Sequence, residues 1–468
     1  MKRRDFLSKG TVGAVGLSWL GQFTDAFQTS QLSSKHVGKF KNVIFMVSDG
    51  MSIGTLAMAH LLKSRKYGKS SNWLSIIQQA HIRRSLMDTS SASSLVTDSA
   101  AASSAWGGGF KVLNGSLNVG VNGEHYKPIL QKCKSKGLAV GCATTVPITH
   151  ATPAGFCVNQ SKRGNQNDIA LQYLNLKFDV MLGGGADYFS SAKRSDKRDL
   201  FLDFKNVGFQ VARNKKELDS FSFGKPILGV FDDGGLPYAI DHTNSVQQSL
   251  TIPSLSEMTQ KALDVLSKHK RGFVLQIEGG KVDWAAHAND APALLYDQLA
   301  FDDAVGVAYD FAQKNGETLL VITTDHGNAN PGLFYGDKAD KNFEKLFSMK
   351  QTNEWILKQV KSSDSPEKLK ELFATYQGIQ LTKEESITLM NQYSIQTEQG
   401  IYNNYKLPFK QLADIQMKHT SIGWGSMDHS GDFVELTLFG PGDWKFPGYI
   451  PNTYLHNFIL EGLGILEV

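Results

Sequence analysis

The densest local set of side chains that could bind a metal ion lies between Glu278 and His287. Asp283 and His287 are four residues apart, so on a helix they face the same side and can bind one cation. Glu278 adds a carboxylate at the end of the preceding apolar run. In isolation, an Asp–His pair at this spacing is more often a solvated surface pair, so the assignment depends on the rest of the chain.

Two further segments supply metal-ligand types. Asp325 and His326 are adjacent at the end of an apolar run, where they can reach one ion or diverge to two. His429 adds a third imidazole in a glycine-containing turn. Three imidazoles with several carboxylates suit zinc, and an oxygen-only set suits magnesium. Other histidines have no comparable setting and are expected at the surface or in the core: His60, His81, His242, His269 and His419.

A hydroxyl nucleophile is available at Ser99, where Asp98-Ser99 leads into small helix-forming residues. The first turn of a helix has unpaired N–H groups and the positive end of the macrodipole, so anions bind there. Either residue could instead be only an N-cap. Two nearby cations could activate Ser99 and stabilise a displacement at phosphorus. Arg163 offers a fork-shaped cation for phosphate oxygens.

Apolar runs that predict buried strands precede most of these residues, and helical stretches separate them. The predicted strands are 42–47, 138–145, 178–182, 227–231, 272–277, 318–324 and 433–439, and the main predicted helices are 165–176, 256–269 and 291–313. This alternation predicts an α/β fold with a large, mainly parallel central sheet flanked by helices. Ligands bind beyond the carboxyl ends of such strands. Asp49, Glu278, Asp325 and His326 are therefore predicted to share one site.

The alternation breaks between residues 331 and 422, where charged helical segments at 363–376 and 383–393 and the aromatic stretch 402–405 occur. We expect an insertion there, packed over or beside the sheet as a lid or a dimer contact. Residues 41–468 are otherwise expected to form a single α/β domain.

Residues 1–26 are typical of a signal peptide. Arg3-Arg4 precedes Phe6-Leu7 and a short apolar run, which favours a twin-arginine signal over an ordinary secretory one. Cleavage is expected near Ala26, followed by a linker over 27–40. The signal predicts a periplasmic or secreted protein with no stable membrane anchor after its removal.

Composition excludes one class of partner. The formal net charge is only +4, and no basic block is interleaved with aromatic residues, so nucleic-acid binding is not expected. Cys133, Cys142 and Cys157 lack metal-site spacing and are expected in the core, with their pairing left open.

Beyond the signal, the chain resembles the alkaline phosphatase family. The motifs that carry the resemblance are Val47 to Met51, Thr97 to Ala100, Thr149 to Pro153, Glu278 to His287, Thr324 to His326 and His429 to Gly431. The resemblance implies an exported, homodimeric enzyme that hydrolyses small-molecule phosphate monoesters through a phosphoserine at Ser99. Arg163 would bind the phosphate and take part in catalysis, with Asp98 orienting it.

The resemblance also implies three metal sites. Asp283, His287 and His429 would hold one zinc ion, and Asp49, Asp325 and His326 a second. A magnesium ion would be bound by Asp49, Thr152 and Glu278. His150 and Trp284, both expected near the substrate, stand where the best-known bacterial pattern has Asp and Lys. An imidazole there should weaken magnesium binding, so the identity of the third metal stays open.

Two alternatives remain at this stage. One is a phosphodiesterase of the same superfamily, although diesterases usually lack the third-metal ligands and the arginine. The other is a non-enzymatic exported protein that binds metal or phosphate, which would need no serine among the ligands.

Overall fold

A ten-stranded sheet positions the candidate site. The computed structural model describes residues 40–221, 223–361, 363–392, 407–442 and 445–465. The strands are β1 (Asn42–Val47), β2 (Arg83–Met87), β3 (Ala139–Pro147), β4 (Val180–Gly184), β5 (Gln210–Ala212), β6 (Ile227–Val230), β7 (Phe273–Glu278), β8 (Thr318–Thr323), β9 (Gly327–Asn328), β10 (Gly332–Leu333), β11 (Ile422–Gly423), β12 (His429–Ser430), β13 (Val434–Phe439) and β14 (Tyr449–Ile450).

The large sheet has the order β14-β2-β13-β8-β1-β7-β3-β4-β6-β5. The seven strands from β8 to β5 pair in parallel, while β13 runs antiparallel to both β8 and β2. β1, β7 and β8 are buried along their whole length, as expected for strands covered by helices on both faces. The predicted α/β fold with a mainly parallel sheet is confirmed.

Helices connect and cover the strands. They are α1 (Ile53–Tyr67), α2 (Asn72–Ile77), α3 (Ser99–Gly107), α4 (Ile129–Ser135), α5 (Ala151–Cys157), α6 (Gln166–Leu176), α7 (Leu200–Asn206), α8 (Lys215–Ser220), α9 (Ala239–Thr243), α10 (Val246–Thr251), α11 (Leu255–Leu266), α12 (Lys281–His287), α13 (Ala291–Asn315), α14 (Ala339–Phe343), α15 (Asn353–Lys358), α16 (Pro366–Gln377), α17 (Lys383–Gln392), α18 (Phe409–Thr420) and α19 (Tyr454–Gly462). Short 3₁₀ helices cover Ala186–Tyr188 and Glu344–Ser348.

The predicted strands and helices are all present, with shifts of a few residues at their ends. Local signals explain the longest helix, α13, in which the Asp290 side chain accepts a hydrogen bond from Ala293 N–H at the start. Gly316 ends it with a φ of 70°.

Three strands of the large sheet were not predicted: β2, β5 and β14. β2 contains Arg83 and Arg84 rather than an apolar run, and it is stabilised by its neighbour, since Arg84 Nε donates to Glu435 Oε1 at 2.7 Å. β5 has three residues and β14 has two, which is too short for a strand-like pattern of apolar residues to be recognised in the sequence.

The 331–422 segment is attached through a narrow ribbon. β10 pairs antiparallel with β11 at its base, and β9 pairs with β12 just below. Its helices share one hydrophobic core with the helices of the sheet, through side chains such as Phe343, Ile356 and Leu412. The sequence-predicted helices at 363–376 and 383–393 correspond to α16 and α17.

Three sequence predictions fall wholly or partly outside the described residues: the signal peptide, the linker up to residue 39 and the aromatic stretch 402–405. Cys133, Cys142 and Cys157 are buried free thiols. In the described parts of the chain, no helix combines the length and the apolar character required to cross a bilayer.

Buried amides stabilise the 331–422 segment. Asn353, Gln377 and Gln416 are each at most 3% exposed. Gln416 Nε2 donates to Asn353 Oδ1 and to Gln377 Oε1, both at 2.8 Å, and Asn353 Nδ2 donates back to Gln416 Oε1 at 2.8 Å.

We expect Gln416→Ala to lower the free energy of unfolding by about 2–4 kcal/mol, because it removes the hydrogen bonds of Gln416 to Asn353 Nδ2, Asn353 Oδ1 and Gln377 Oε1 and opens a cavity. Urea denaturation measures this. Lys410→Ala, at an exposed position of the same helix α18, is the control and should change stability by less than about 0.5 kcal/mol. Equal stability of the two variants would contradict the prediction.

Candidate active site

Adjacent strand ends bring the acidic residues together. Val47, the last residue of β1, pairs with Glu278 on one side and with Thr323 on the other. Asp49 and Asp325 each follow two residues beyond these strand ends. Parallel strands end at the same edge, so the three carboxylates meet although Asp49 is more than 200 residues from the other two in sequence.

The first cluster consists of Asp283, His287 and His429. Asp283 and His287 project from one face of α12, and His287 Nε2 lies 3.5 Å from Asp283 Oδ2. His429 Nε2 lies 3.5 Å from Asp283 Oδ1 and 3.1 Å from His287 Nε2. His429 is held by the pairing of β12 with β9.

The second cluster consists of Asp49, Asp325 and His326. His326 Nε2 lies 3.2 Å from Asp325 Oδ2 and 3.6 Å from Asp49 Oδ1. Gly50 allows Asp283 of the first cluster to pack closely against the backbone next to Asp49. Its φ is +65°, and a Cβ there would be 2.4 Å from Asp283 Oδ1. The rings of His326 and His429 stack at 3.7 Å, so the first and second clusters are contiguous.

Backbone carbonyl groups orient the three imidazoles. His287 Nδ1 lies 2.7 Å from Met427 O, His429 Nδ1 lies 2.9 Å from Thr97 O, and His326 Nδ1 lies 3.2 Å from Gly327 O. Carbonyl oxygens only accept, so each Nδ1 donates and carries a proton. In the neutral ring, Nε2 then has a free lone pair, which is the arrangement of metal-binding histidines.

The third cluster consists of Asp49, His150 and Glu278. Thr152 Oγ1, in the first turn of α5, donates to Asp49 Oδ2 at 3.1 Å, and Thr144 Oγ1 donates to Glu278 Oε2. Asp49 belongs to both the second and the third cluster and therefore joins them.

The carboxylates of these clusters require cations. Asp49 Oδ1, Asp325 Oδ2 and Glu278 Oε1 are buried without a hydrogen-bond partner. Burial, followed by repulsion from Asp325, raises the pKa of Asp49 well above its usual value, and burial raises that of Glu278 to about 7. Such carboxylates stay charged at neutral pH only when metal ions or other cations compensate them. The donor set thus fits bound metal ions.

Ser99 lies at the start of α3 and is 1% exposed. Its Oγ is 3.2 Å from His326 Nε2, which places the hydroxyl beside the second cluster. Asp98 is the N-cap, and its Oδ1 accepts from Ala101 N–H at 3.0 Å. Ser103 on the same helix donates to Ala151 O at 3.1 Å, which ties α3 to α5.

Arg163 reaches the same region from the loop before α6. Its Nη1 donates to Asp98 Oδ2 at 2.9 Å, and its Nη2 is 3.1 Å from His150 Nε2. Burial alone would raise the pKa of Asp98, but the charge of Arg163 and the bond from Ala101 outweigh it and lower the pKa. Burial and the adjacent Arg163 lower the pKa of His150 to about 3, so its ring is neutral.

Trp284 lies beside His150 and is not among the residues of the three metal-ligand clusters. Its ring meets the edge of the His150 ring at a centroid distance of 6.0 Å. The structure therefore brings all the sequence-predicted site residues to one edge of the sheet.

Sequence reasoning missed three supporting residues. Asn328 Nδ2 donates to Asp283 Oδ1 at 2.7 Å, Thr144 bonds Glu278, and Lys281 lies beside Trp284. Asn328 and Lys281 are each two residues from a predicted ligand, and Thr144 lies on β3, next to the strand that ends at Glu278. This proximity is the only feature of the sequence that could have indicated their roles.

Comparisons with known proteins identify the family of this chain. The alkaline phosphatase family model matches residues 40–465. Alkaline phosphatase 4 of Bacillus subtilis (strain 168) is 32% identical over 462 residues, covering 96% of this chain and 95% of the relative. The crystal structure of Thermus thermophilus alkaline phosphatase superposes with a TM-score of 0.86 at 32% identity and 95% coverage of both chains. The cold-active enzyme of Shewanella sp. gives 0.75 at 28% identity, covering 90% of this chain and 99% of that one.

The large, mainly parallel central sheet flanked by helices matches the fold of these alkaline phosphatase structures. The chain belongs to the alkaline phosphatase family. It is a phosphoric monoester hydrolase, and its substrates are phosphate monoesters.

Metal affinity should depend on pH through His429. Burial alone would lower the pKa of His429, but the hydrogen bond and charge of Asp283 outweigh it and raise it to about 9. A metal ion must displace this proton, so Zn²⁺ affinity of the metal-free protein should rise up to about tenfold per pH unit from pH ~7 until the pKa is passed.

Competition with a chromophoric chelator measures this affinity. His326 adds no such dependence, because burial lowers its pKa to about 4. In His429→Ala, affinity should be lower and the His429-dependent rise should disappear. Equal pH dependence in the variant and the parent chain would contradict the prediction.

Proposed function

We propose that this alkaline phosphatase acts through a phosphoserine at Ser99, with zinc bound by the first and second clusters and a third ion bound beside them. The observation that carries this proposal is the 3.2 Å distance between Ser99 Oγ and His326 Nε2, at the edge of a buried metal-ligand set. When bound there, zinc supplies Lewis-acid chemistry that lowers the pKa of a nearby hydroxyl and stabilises charge on the reacting oxygens.

The residues of the chain divide the reaction between them. Ser99 gives its hydroxyl proton to solvent and its Oγ attacks phosphorus; the Oγ–P bond forms, the P–O ester bond breaks, and the ester oxygen leaves with its electron pair and takes up a proton from water. Water then attacks the phosphoserine, the Oγ–P bond breaks, and inorganic phosphate is released. Arg163 binds two non-bridging oxygens through its fork, and the N–H groups at the N-terminus of α3 hold the phosphate against Ser99.

Asp98 orients Arg163 because one guanidinium nitrogen is held by its carboxylate. The bond also keeps Asp98 ionised, in accordance with its lowered pKa. Arg163 thus approaches the phosphate from a fixed direction, and the geometric cost of binding is reduced.

The third ion is proposed to be bound by Asp49, Thr152 and Glu278. Arg163 can only donate, so His150 Nε2 accepts and His150 Nδ1 carries the proton. In this tautomer the imidazole offers no lone pair at Nδ1. With two carboxylates and one hydroxyl, magnesium is an acceptable occupant, but the imidazole in place of a carboxylate lowers the negative charge that would hold it.

Export and assembly are further parts of the proposal. Arg3-Arg4 and the short apolar run after them support export by a twin-arginine signal and a periplasmic or secreted location. Residues 41–468 are proposed as a single α/β domain with the 331–422 segment as its insertion. A homodimer without a stable membrane anchor is the expected mature form.

Ser99→Ala tests the nucleophile. We expect kcat on a nitrophenyl phosphate monoester to fall by a factor on the order of 10³ or more, because no covalent intermediate forms, while zinc content stays unchanged. Acid quenching with labelled substrate should leave label on the parent chain and none on the variant. Ser161→Ala, at an exposed position near Arg163, is the control. Retained turnover in Ser99→Ala would refute the proposed intermediate.

Trp284→Lys tests the departure from the bacterial pattern. An added cation beside His150 and Arg163 should tighten competitive inhibition by inorganic phosphate, by about fivefold for a gain of about 1 kcal/mol. Trp284→Met, which adds no charge, separates the effect of the cation from the loss of the indole. Equal inhibition constants in Trp284→Lys and Trp284→Met would show that no phosphate charge lies near this position.

A further inference from the structure

Lys281 is a buried cation that the reaction described above does not use. It is the first residue of α12, the helix that carries Asp283 and His287, and it is 5% exposed. A cation in the first turn opposes the helix macrodipole, so Lys281 is not placed there to stabilise the helix.

Two aromatic rings surround its ammonium group. Lys281 Nζ lies 3.6 Å from the centroid of the Tyr238 ring and 4.6 Å from that of Trp284. Within the described residues, no carboxylate forms an ion pair with it. Burying an ammonium group is costly; the charges of Glu354, Asp297 and Asp241 offset part of that cost, and the faces of the two rings contact the group directly.

The Trp284 indole is held from more than one side. A Cβ at Gly235 would lie 2.8 Å from Trp284 Cζ3 and 3.5 Å from Lys281 Cδ, so the backbone of the Gly235 loop packs directly on both side chains. Lys281 is itself fixed by its backbone N–H, which donates to Thr145 Oγ1 at 3.0 Å.

Contacts continue from the indole to the guanidinium group. Trp284 meets the edge of His150 at 6.0 Å, and His150 Nε2 accepts from Arg163 Nη2 at 3.1 Å. Arg163 therefore has two supports, Asp98 on one nitrogen and His150 on the other. The position of His150 depends on the ring behind it.

We propose that Lys281 is a positioning residue for phosphate binding: its ammonium group, held between Tyr238 and Trp284, fixes the indole against His150 and thereby the guanidinium group of Arg163. This inference rests on the proposed role of Arg163 in binding phosphate. Lys281 does not touch the substrate, and its effect is transmitted through Trp284.

Lys281→Met removes the charge and keeps the length of the side chain. We expect KM for a monoester and the inhibition constant of inorganic phosphate each to rise about fivefold, less than the full strength of a desolvated cation–π contact because Lys281 acts only through Trp284, with kcat within about twofold. Lys281→Arg retains a cation that can stack on both rings, and it should restore both constants.

A double-mutant cycle with Trp284→Ala separates positioning from a direct charge effect. If Lys281 acts through the indole, adding Lys281→Met to Trp284→Ala should change the phosphate inhibition constant by less than about 1.5-fold. If the fivefold effect persists without Trp284, Lys281 acts on phosphate by its charge and the proposal is overturned.

Lys66→Met is the matched control. Lys66 Nζ also lies over an aromatic ring, 5.1 Å from the Tyr296 centroid, but away from the candidate site. It should leave KM and phosphate inhibition unchanged, and a shift equal to that of Lys281→Met would overturn the specific role of Lys281.

Two further variants decide the remaining cases. If Lys281→Met does not fold, Gly235→Ala displaces the indole from the opposite side and should raise the phosphate inhibition constant with kcat retained; an unchanged constant overturns the proposal.

Arg163→Ala tests the proposed function separately. If it leaves phosphate affinity unchanged, the role assigned to Arg163 fails, whereas the cycle at Lys281 and Trp284 reports on the positioning contact itself.

Discussion

Compensation of buried negative charge is the constraint on which the rest of the structure depends. Asp49, Glu278, Asp283 and Asp325 are each at most 4% exposed and converge at one edge of the sheet. Burial, with repulsion from Asp325 added to it, raises the pKa of Asp49 and Glu278. Asp283 differs: burial alone would raise its pKa, but His287 and His429 outweigh burial and hold it well below its usual value. Bound cations would thus contribute to folding free energy as well as to chemistry.

Two short strand pairs at the base of the 331–422 segment keep the site residues together across this long insertion. β9 and β12 pair His429 with Asn328, and β10 and β11 close the base of the 331–422 segment. The pairing therefore keeps His429 close to His326 although the 331–422 segment lies between them in sequence. The segment packs into the shared core against α1 and α13, and its link to the sheet includes Thr352, whose N–H and Oγ1 both donate to Asp241 at 2.8 Å.

The end of the site that contains Arg163 is built differently from the three metal-ligand clusters. It contains one arginine, the N-terminus of α3 and a neutral histidine, with the aromatic residue Trp284 behind them. Arg163 has partners on both terminal nitrogens, so its orientation is determined before substrate binds. Orientation is set there by hydrogen bonds and ring contacts, whereas at the metal clusters it is set by strand ends and by backbone carbonyl groups on the imidazoles.

The sequence by itself determined the α/β class, the central strands and which side chains follow them, because continuous apolar runs and strand-terminal acidic residues are local features. The Asp283–His287 pair was likewise readable from helical spacing. Strands β2, β5 and β14 were missed, since one is stabilised by a cross-strand ion pair and two are too short to show a period. Only the tertiary structure decided that β12 returns beside β9 and that Lys281 lies between two rings. These contacts join residues distant in sequence, and their free energy comes from packing and burial that no local pattern encodes.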